Sequence, residues 1–171
     1  MNEGILSRLA EITEEERSIL SGQSAIDRNL YMDGSRDVIT GDKLLAPGRL
    51  VTIRPHTRFV AFPQHTHDYV EMVYMAQGQT RHIVNGREIL LKEGELLMLG
   101  QHALQEIAPA GERDLAVNFI LIPGFFDSAA ISLGSSNALA VFLRDNLAGR
   151  RQAICCLTCP GPFWRKTCWR T

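Results

Sequence analysis

The stretch "PQHTHDYVEMVYMAQGQ" holds three residues with the types and spacing of a chemical site: His65, His67 and Glu71. Side chains along a strand alternate faces, so these three positions share parity and can project into one interior. Two imidazoles and a carboxylate converging from one side suit a divalent transition metal such as Mn, Fe, Ni or Zn. The same groups can instead hydrogen-bond a small organic ligand. A plainer alternative is a set of polar residues at a strand end, where His is common. The pattern H-x-H is short, and spacing alone leaves all three readings open.

The elements around these residues set the fold class. From Leu50 to Pro123 the chain runs through short apolar segments broken by Gly, Pro and Asn, among them "RLVTIRP", "YVEMVYMAQ", "QTRHIVNG", "ELLMLG" and "DLAVNFILIP". Asn85-Gly86 between two such runs marks a two-residue hairpin, because both central positions of a type I′ turn need positive φ. Lys92-Glu93-Gly94 marks a second reversal. Roughly eight strands without intervening helices predict an all-β, antiparallel barrel or sandwich. Ahead of it, Ile5, Leu6, Leu9, Ile12, Ile19 and Leu20 recur at helical spacing and predict an amphipathic helix over 3–20. Behind it, "NALAVFLRDNL" sets Leu139, Phe142, Leu143 and Leu147 on one stripe, with Asn137 as its cap. A one-faced helix there packs on the barrel or on a partner subunit.

With these elements in view the pattern becomes specific. His65-x-His67-x3-Glu71-x6-Gly78 resembles the first motif of the cupin superfamily, with Phe59 in the place of its leading glycine. The second motif begins at Gly94 and continues "GELLMLGQHALQEI". Gly100 stands where that motif has proline, His102 where it has glycine, and Gln105 where metal-binding cupins carry a further His. The resemblance spans about 50–123 and implies an antiparallel cupin (jelly-roll-like) β-barrel with flanking N- and C-terminal α-helices. An amide oxygen is a weaker transition-metal ligand than imidazole, so the substitution at Gln105 degrades a metal site.

Over about 45–148 the order of barrel, "LAVNFILIPGFFD" and helix is similar to the N-terminal effector-binding and dimerisation domain of AraC-type transcription regulators. The resemblance implies a domain organisation: 1–44 as N-terminal helix and arm, 45–123 as cupin barrel, 124–149 as dimerisation helix region and 150–171 as an atypical tail. It further implies a homodimer that binds a small-molecule effector, a sugar or small acid, through His65, His67, Glu71 and Gln105. His82 and Tyr74 are candidates for the barrel mouth, although a lone strand His or Tyr is more often a hydrogen-bonded structural residue. The rival reading is a metal-dependent cupin enzyme of dioxygenase or isomerase type using His65, His67 and Glu71. A third is a bare dimerisation module. No Ser-His-Asp or Cys-His nucleophile and no phosphate-cradling loop is readable, so no catalytic residue is assigned. Arg49, Arg54 and Arg58 near the entrance are candidates for an anionic effector. Met72, Met75 and Met98 are candidates for an adaptable apolar lining.

Composition and charge narrow the partners. The formal charge is −1, with 13 basic and 19 acidic residues up to Gly149 and five basic and no acidic residues beyond it. The main body therefore lacks a nucleic-acid footprint. No apolar run approaches the roughly 20 residues of a membrane span, so a cytoplasmic protein is expected. All four cysteines, Cys155, Cys156, Cys159 and Cys168, fall in the tail, which excludes a disulfide framework across the fold. Cys156-x2-Cys159 with Cys168 and Cys155 lacks the paired spacing of a zinc knuckle. The tail reads instead as a solvated basic extension. No helix-turn-helix pattern follows Leu147, and the abrupt change near Arg150 favours a truncated or frameshifted regulator.

Overall fold

The computed structural model describes residues 3–32 and 37–125, with the strand backbones of 154–158 and 165–169. Two short helices lead, α1 (Glu3–Ala10) and α2 (Glu14–Leu20), followed by a 3-10 turn at Arg28–Leu30. A minimal strand β1 (Val38–Ile39) and a single helical turn α3 (Gly41–Leu44) come next. Eight strands then follow: β2 (Val51–Pro55), β3 (Phe62–His67), β4 (Val70–Gln77), β5 (Gln79–Val84), β6 (Arg87–Lys92), β7 (Leu96–Leu99), β8 (Gln105–Ile107) and β9 (Leu115–Leu121). Two more strands, β10 (Ile154–Thr158) and β11 (Arg165–Trp169), complete the order.

They form two sheets, β1-β3-β8-β5-β6 and β11-β10-β7-β4-β9-β2. Every pairing is antiparallel except the two-residue parallel contact of β1 with β3. This is the all-β, jelly-roll-like architecture expected of a cupin. The turns act as the sequence demands. Asn85 and Gly86 both adopt positive φ (49° and 77°) and set Val84 opposite Arg87. Gly94, at φ 81°, lets β6 reverse into β7.

Strand alternation builds the interior. On β5, Thr80, His82 and Val84 are buried while Gln79 and Arg81 are exposed; on β8, Gln105 and Ile107 face in and Glu106 faces out. One apolar cluster joins Val73, Met75, Val84, Leu91, Leu97 and Leu99 between the sheets. A second gathers Phe62, Tyr69, Ile107 and Ile120 with Ile19, Ile26, Tyr31 and Met32 from the N-terminal segment. Met75 lies in the core between the sheets, whereas Met72 and its cross-strand partner Met98 stand on the other face of their sheet, Met72 partly exposed and Met98 buried. Those methionines do not line one common cavity.

The N-terminal segment is two helices where periodicity predicts one. Thr13 interrupts it with a capping box: its side chain accepts from the Glu16 N–H, and the Glu16 carboxylate accepts from the Thr13 N–H. The sequence pattern Thr-x-x-Glu carries this signal, and a helical stripe running across it obscured it. Glu16 has a second role. Its carboxylate receives Arg58 Nε at 2.7 Å, Arg58 Nη2 at 2.9 Å and the Arg58 N–H at 3.1 Å. Arg58 spends its remaining donors on the carbonyls of Glu112 and Glu11. The two side chains are 1% and 2% exposed, so Arg58 is an interior strut and not an effector-binding cation at the entrance. The predicted helix with Leu139, Phe142, Leu143 and Leu147 lies outside the described residues. In the tail, β10 pairs with β7 and β11 with β10, in a register that sets Cys155 opposite Cys168. Part of the tail is therefore strand where a solvated extension is expected.

Burial pushes the Glu16 pKa up, but the hydrogen bonds and charge of Arg58 and the Thr13 N–H outweigh it and leave it lowered. A depressed carboxylate stabilises the fold above its unfolded value of 4.5 and loses that stability as pH falls below it. Glu16→Leu or Arg58→Met alone is expected to lose about 3–5 kcal/mol in urea unfolding at neutral pH, by stranding one buried charge. The double variant recovers most of that loss, and its stability varies less with pH below 4.5.

Candidate functional site

Strand β3 carries His65 and His67 inward and β4 carries Glu71 inward, so the three residues expected to converge are all buried on the interior side. Gln105 on β8 lies directly across from His65, and His82 on β5 pairs with Ile107 two residues along that strand. Tyr74 departs from expectation. It alternates with the buried Val73 and Met75 on β4, so it faces away from the interior, only partly covered. Tyr74 is not at a barrel mouth.

The interior polar groups form directional chains. Gln105 Nε2 donates to His82 Nδ1 at 3.0 Å, which makes Nδ1 the acceptor and Nε2 the protonated nitrogen. His82 Nε2 then donates to Thr80 Oγ1 at 2.9 Å, and Thr80 donates to Met75 Sδ at 3.6 Å. Burial, with the neighbouring His56 and His65, drives the His82 pKa down to about 3. Gln105 thus does not replace a fourth ligand; it holds a neutral imidazole in one tautomer.

His65 and His67 are fixed by the backbone of their own segment. His65 Nδ1 donates to the Pro63 carbonyl at 2.7 Å and His67 Nδ1 to the Tyr69 carbonyl at 3.0 Å. The His67 ring stacks on Tyr69, 4.8 Å between centroids, and burial lowers its pKa to about 3. His67 Nε2 has no hydrogen-bond partner and lies 3.9 Å from Glu71 Oε2. Burial raises the Glu71 pKa to about 7, opposed by the Asn118 hydrogen bond and the Arg54 charge.

A further chain runs beside these residues. Asn118 Nδ2 donates to Glu71 Oε1 at 2.9 Å, and His56 Nδ1 donates to Asn118 Oδ1 at 3.0 Å. An open pocket of about 550 Å³, mouth included, meets this chain. Its polar lining comes from Arg54, His56, Thr57, His65, Glu71 and Asn118, and its apolar lining includes Tyr31, Phe62, Tyr69, Ile107 and Ile120. Of the expected ligand-binding residues, His65 and Glu71 line the pocket. His67, His82 and Gln105 are buried but form no part of its lining. His56, Asn118, Tyr31 and Tyr69 join the site unannounced. A lone asparagine in the apolar run "LAVNFIL", in phase with the inward Ala116 and Ile120, was the readable signal for Asn118.

The donor set does not fit the metal of a metal-binding cupin. Among the described residues no three His, Cys, Asp or Glu side chains are arranged to hold an ion. The His65 and His67 ring centroids are 6.4 Å apart, and the one ligand atom Gln105 could supply, its neutral Oε1, is a weaker transition-metal ligand than imidazole.

A jelly-roll with a polar pocket between its sheets defines a small-molecule-binding domain of the cupin kind. The chain belongs to the AraC-like ligand binding domain family, whose model matches residues 45–159. Among solved structures it is similar to ToxT from Vibrio cholerae strain SCE256 bound to an unsaturated fatty acid (10% identity, TM-score 0.39, 53% of this chain and 35% of ToxT). A second structure of ToxT from Vibrio cholerae aligns at 12% identity and TM-score 0.41, over 64% of this chain and 42% of ToxT. The EutQ protein of Clostridium difficile aligns at 19% identity and TM-score 0.34, over 42% of this chain and 55% of EutQ. The chain thus matches less than two-thirds of each of these proteins. No curated protein sequence matches it.

The two motif glycines that this sequence lacks leave a conformational trace. Phe59 has φ 70° and His102 has φ 62°, both in the left-handed region that glycine enters without strain. His102 is exposed and its N–H donates to the His67 carbonyl. His102→Gly is expected to raise unfolding free energy by about 1 kcal/mol, measured by urea titration, since it relieves left-handed strain. A decrease would contradict that. For His82, a lowered pKa gives stability that is present above the unfolded value of 6.5 and lost as pH falls toward 3. His82→Gln stays neutral in that range. Its stability deficit relative to the parent should shrink by about 1.4 kcal/mol per pH unit below 6.5.

Proposed function

We propose that this chain is the effector-sensing domain of a cytoplasmic AraC-type transcription regulator that acts as a homodimer. The observation that carries the reading is the pocket itself. It opens between the sheets of a ligand-binding family fold, and a partly buried, pre-oriented Glu71–Asn118–His56 chain forms its wall. Ligand pockets are mostly apolar with a few placed polar groups, which matches a lining of Tyr31, Phe62, Tyr69 and Ile120 around those three.

Signal transfer has a physical candidate. Tyr31 lines the pocket, and its hydroxyl donates to the Glu15 carboxylate on α2 at 2.6 Å. Burial and that carboxylate push the Tyr31 pKa up to about 12, so the hydroxyl remains a donor. A ligand that touches Tyr31 biases the placement of the N-terminal helices, provided it binds one arrangement more tightly than the other.

The test is a thermal-shift screen of the full chain with sugars, small acids and amines. At least one compound should give a saturable rise in Tm, equivalent to about 2.7 kcal/mol at a hundredfold excess over Kd. Asn118→Leu, which breaks the polar wall, should abolish that rise. A complete screen without any saturable shift rejects the sensor reading. Sedimentation equilibrium addresses the dimer separately: a chain still monomeric at high concentration rejects the homodimer.

A further inference from the structure

We propose that the pocket selects a bifunctional ligand: a small carboxylate carrying a hydroxyl or ammonium donor at its far end, with the anion on Arg54 and the donor on Glu71 and His56. The inference rests on the sensor reading of this pocket and names its ligand class.

The argument is an inventory of donors and acceptors along the wall. Asn118 gives its amide hydrogen to Glu71, so its oxygen must face His56 and accept from Nδ1. His56 Nε2 therefore carries a lone pair. It is buried, lacks any hydrogen-bond partner, and belongs to a pocket-lining residue that is 4% exposed. Glu71 uses Oε1 for Asn118, while Oε2 has no hydrogen bond and lies 3.9 Å from His67 Nε2. His65 has Nδ1 tied to Pro63 and its ring hydrogen-bonded to the Gln105 side chain, so it adds no free acceptor to the wall. Apart from the Tyr69 hydroxyl, the uncommitted positions on this wall, His56 Nε2 and carboxylate Oε2 of Glu71, are acceptors, and buried acceptors without donors are costly to leave unpaired.

The mouth has the opposite character. Arg54 lies over the Tyr31 ring at 5.3 Å; its charge acts on Glu71, but it has no carboxylate within 4 Å among the described residues. It shares the inward face with Asn118, to which it is directly paired across β2 and β9. Glu71 lies one strand further on, so the two charged ends are separated by two strand spacings, on the order of 10 Å. A simple carboxylate would satisfy Arg54 and leave the acceptors bare beside a second carboxylate. A simple amine or diol would satisfy the acceptors and leave the guanidinium unpaired. A ligand with both ends satisfies both.

The experiment is isothermal titration of the full chain with five matched four-carbon probes: γ-aminobutyrate, γ-hydroxybutyrate, butyrate, butylammonium and butanediol. At least one of the first two should bind roughly tenfold or more tightly than each of the last three, the effect of one charge-assisted hydrogen bond. Arg54→Gln should bring the bifunctional probe down to the level of butylammonium or butanediol, and Arg54→Lys should restore most of the affinity. His56→Phe should bring it down toward butyrate. Each variant's unfolding midpoint is measured alongside, and a variant that does not fold is replaced by Asn118→Leu for the donor end. Butyrate binding as tightly as γ-hydroxybutyrate overturns the donor end. Butylammonium or butanediol binding equally tightly overturns the anionic end, while leaving a functioning pocket. Failure of all five probes overturns the proposal. The sensor reading is then judged by its own screen, since a saturable shift from another compound upholds it.

Discussion

A sandwich interior holds polar side chains when they are hydrogen-bonded and either neutral or paired, because an unpaired buried charge costs more than a small fold can offset. This chain buries four histidines, His56, His65, His67 and His82, together with Glu71 and Gln105. Each imidazole has one nitrogen committed to a partner that settles its tautomer, and burial lowers the pKa of all four. The only fully buried ion pair among the described residues, Glu16 with Arg58, stands away from this cluster and holds α2 against the segment before β3. Neutrality at the centre and charge at the strut are two solutions to one desolvation problem.

That constraint explains why the site reads as a ligand pocket. Where an additional histidine would extend the cluster, Gln105 supplies an amide hydrogen to His82 and draws the interior into a fixed network. In this cluster the groups left unsatisfied, His56 Nε2, His67 Nε2 and Gln105 Oε1, are all lone pairs. Rigid acceptors of this type favour hydrogen-bond donors over bulky apolar guests. The N-terminal segment closes the arrangement, since Tyr31 contributes at once to the apolar core, to the pocket wall and to a hydrogen bond with Glu15.

The fold was legible in local chemistry. Asn85-Gly86, Gly94 and the alternating runs specify strands and turns by backbone preference alone, and the structure follows them. Phe59 and His102 show the limit of that reading. A missing glycine suggests a lost turn, yet both residues take the left-handed conformation because the surrounding hydrogen bonds, Phe59 N–H to Ala110 and His102 N–H to His67, require it. The helix break at Thr13 was readable from its capping box. The partner of Glu16, forty-two residues away, was not.

By itself the sequence determined which positions face inward, since parity along a strand follows from the two-residue repeat. It thereby put His65, His67 and Glu71 in the interior, and the cupin resemblance added Gln105 and a jelly-roll of the cupin kind. Only the tertiary structure decided which of them meet the pocket and what they touch there. Parity says nothing about which strands lie side by side: β9 falls between β2 and β4, and that adjacency alone joins Asn118 to Glu71 and His56. The same order brings Arg54 to the mouth, while Arg58, four residues on, is carried to α2. Hydrogen-bond direction is a property of pairs, and these pairs are distant in the chain.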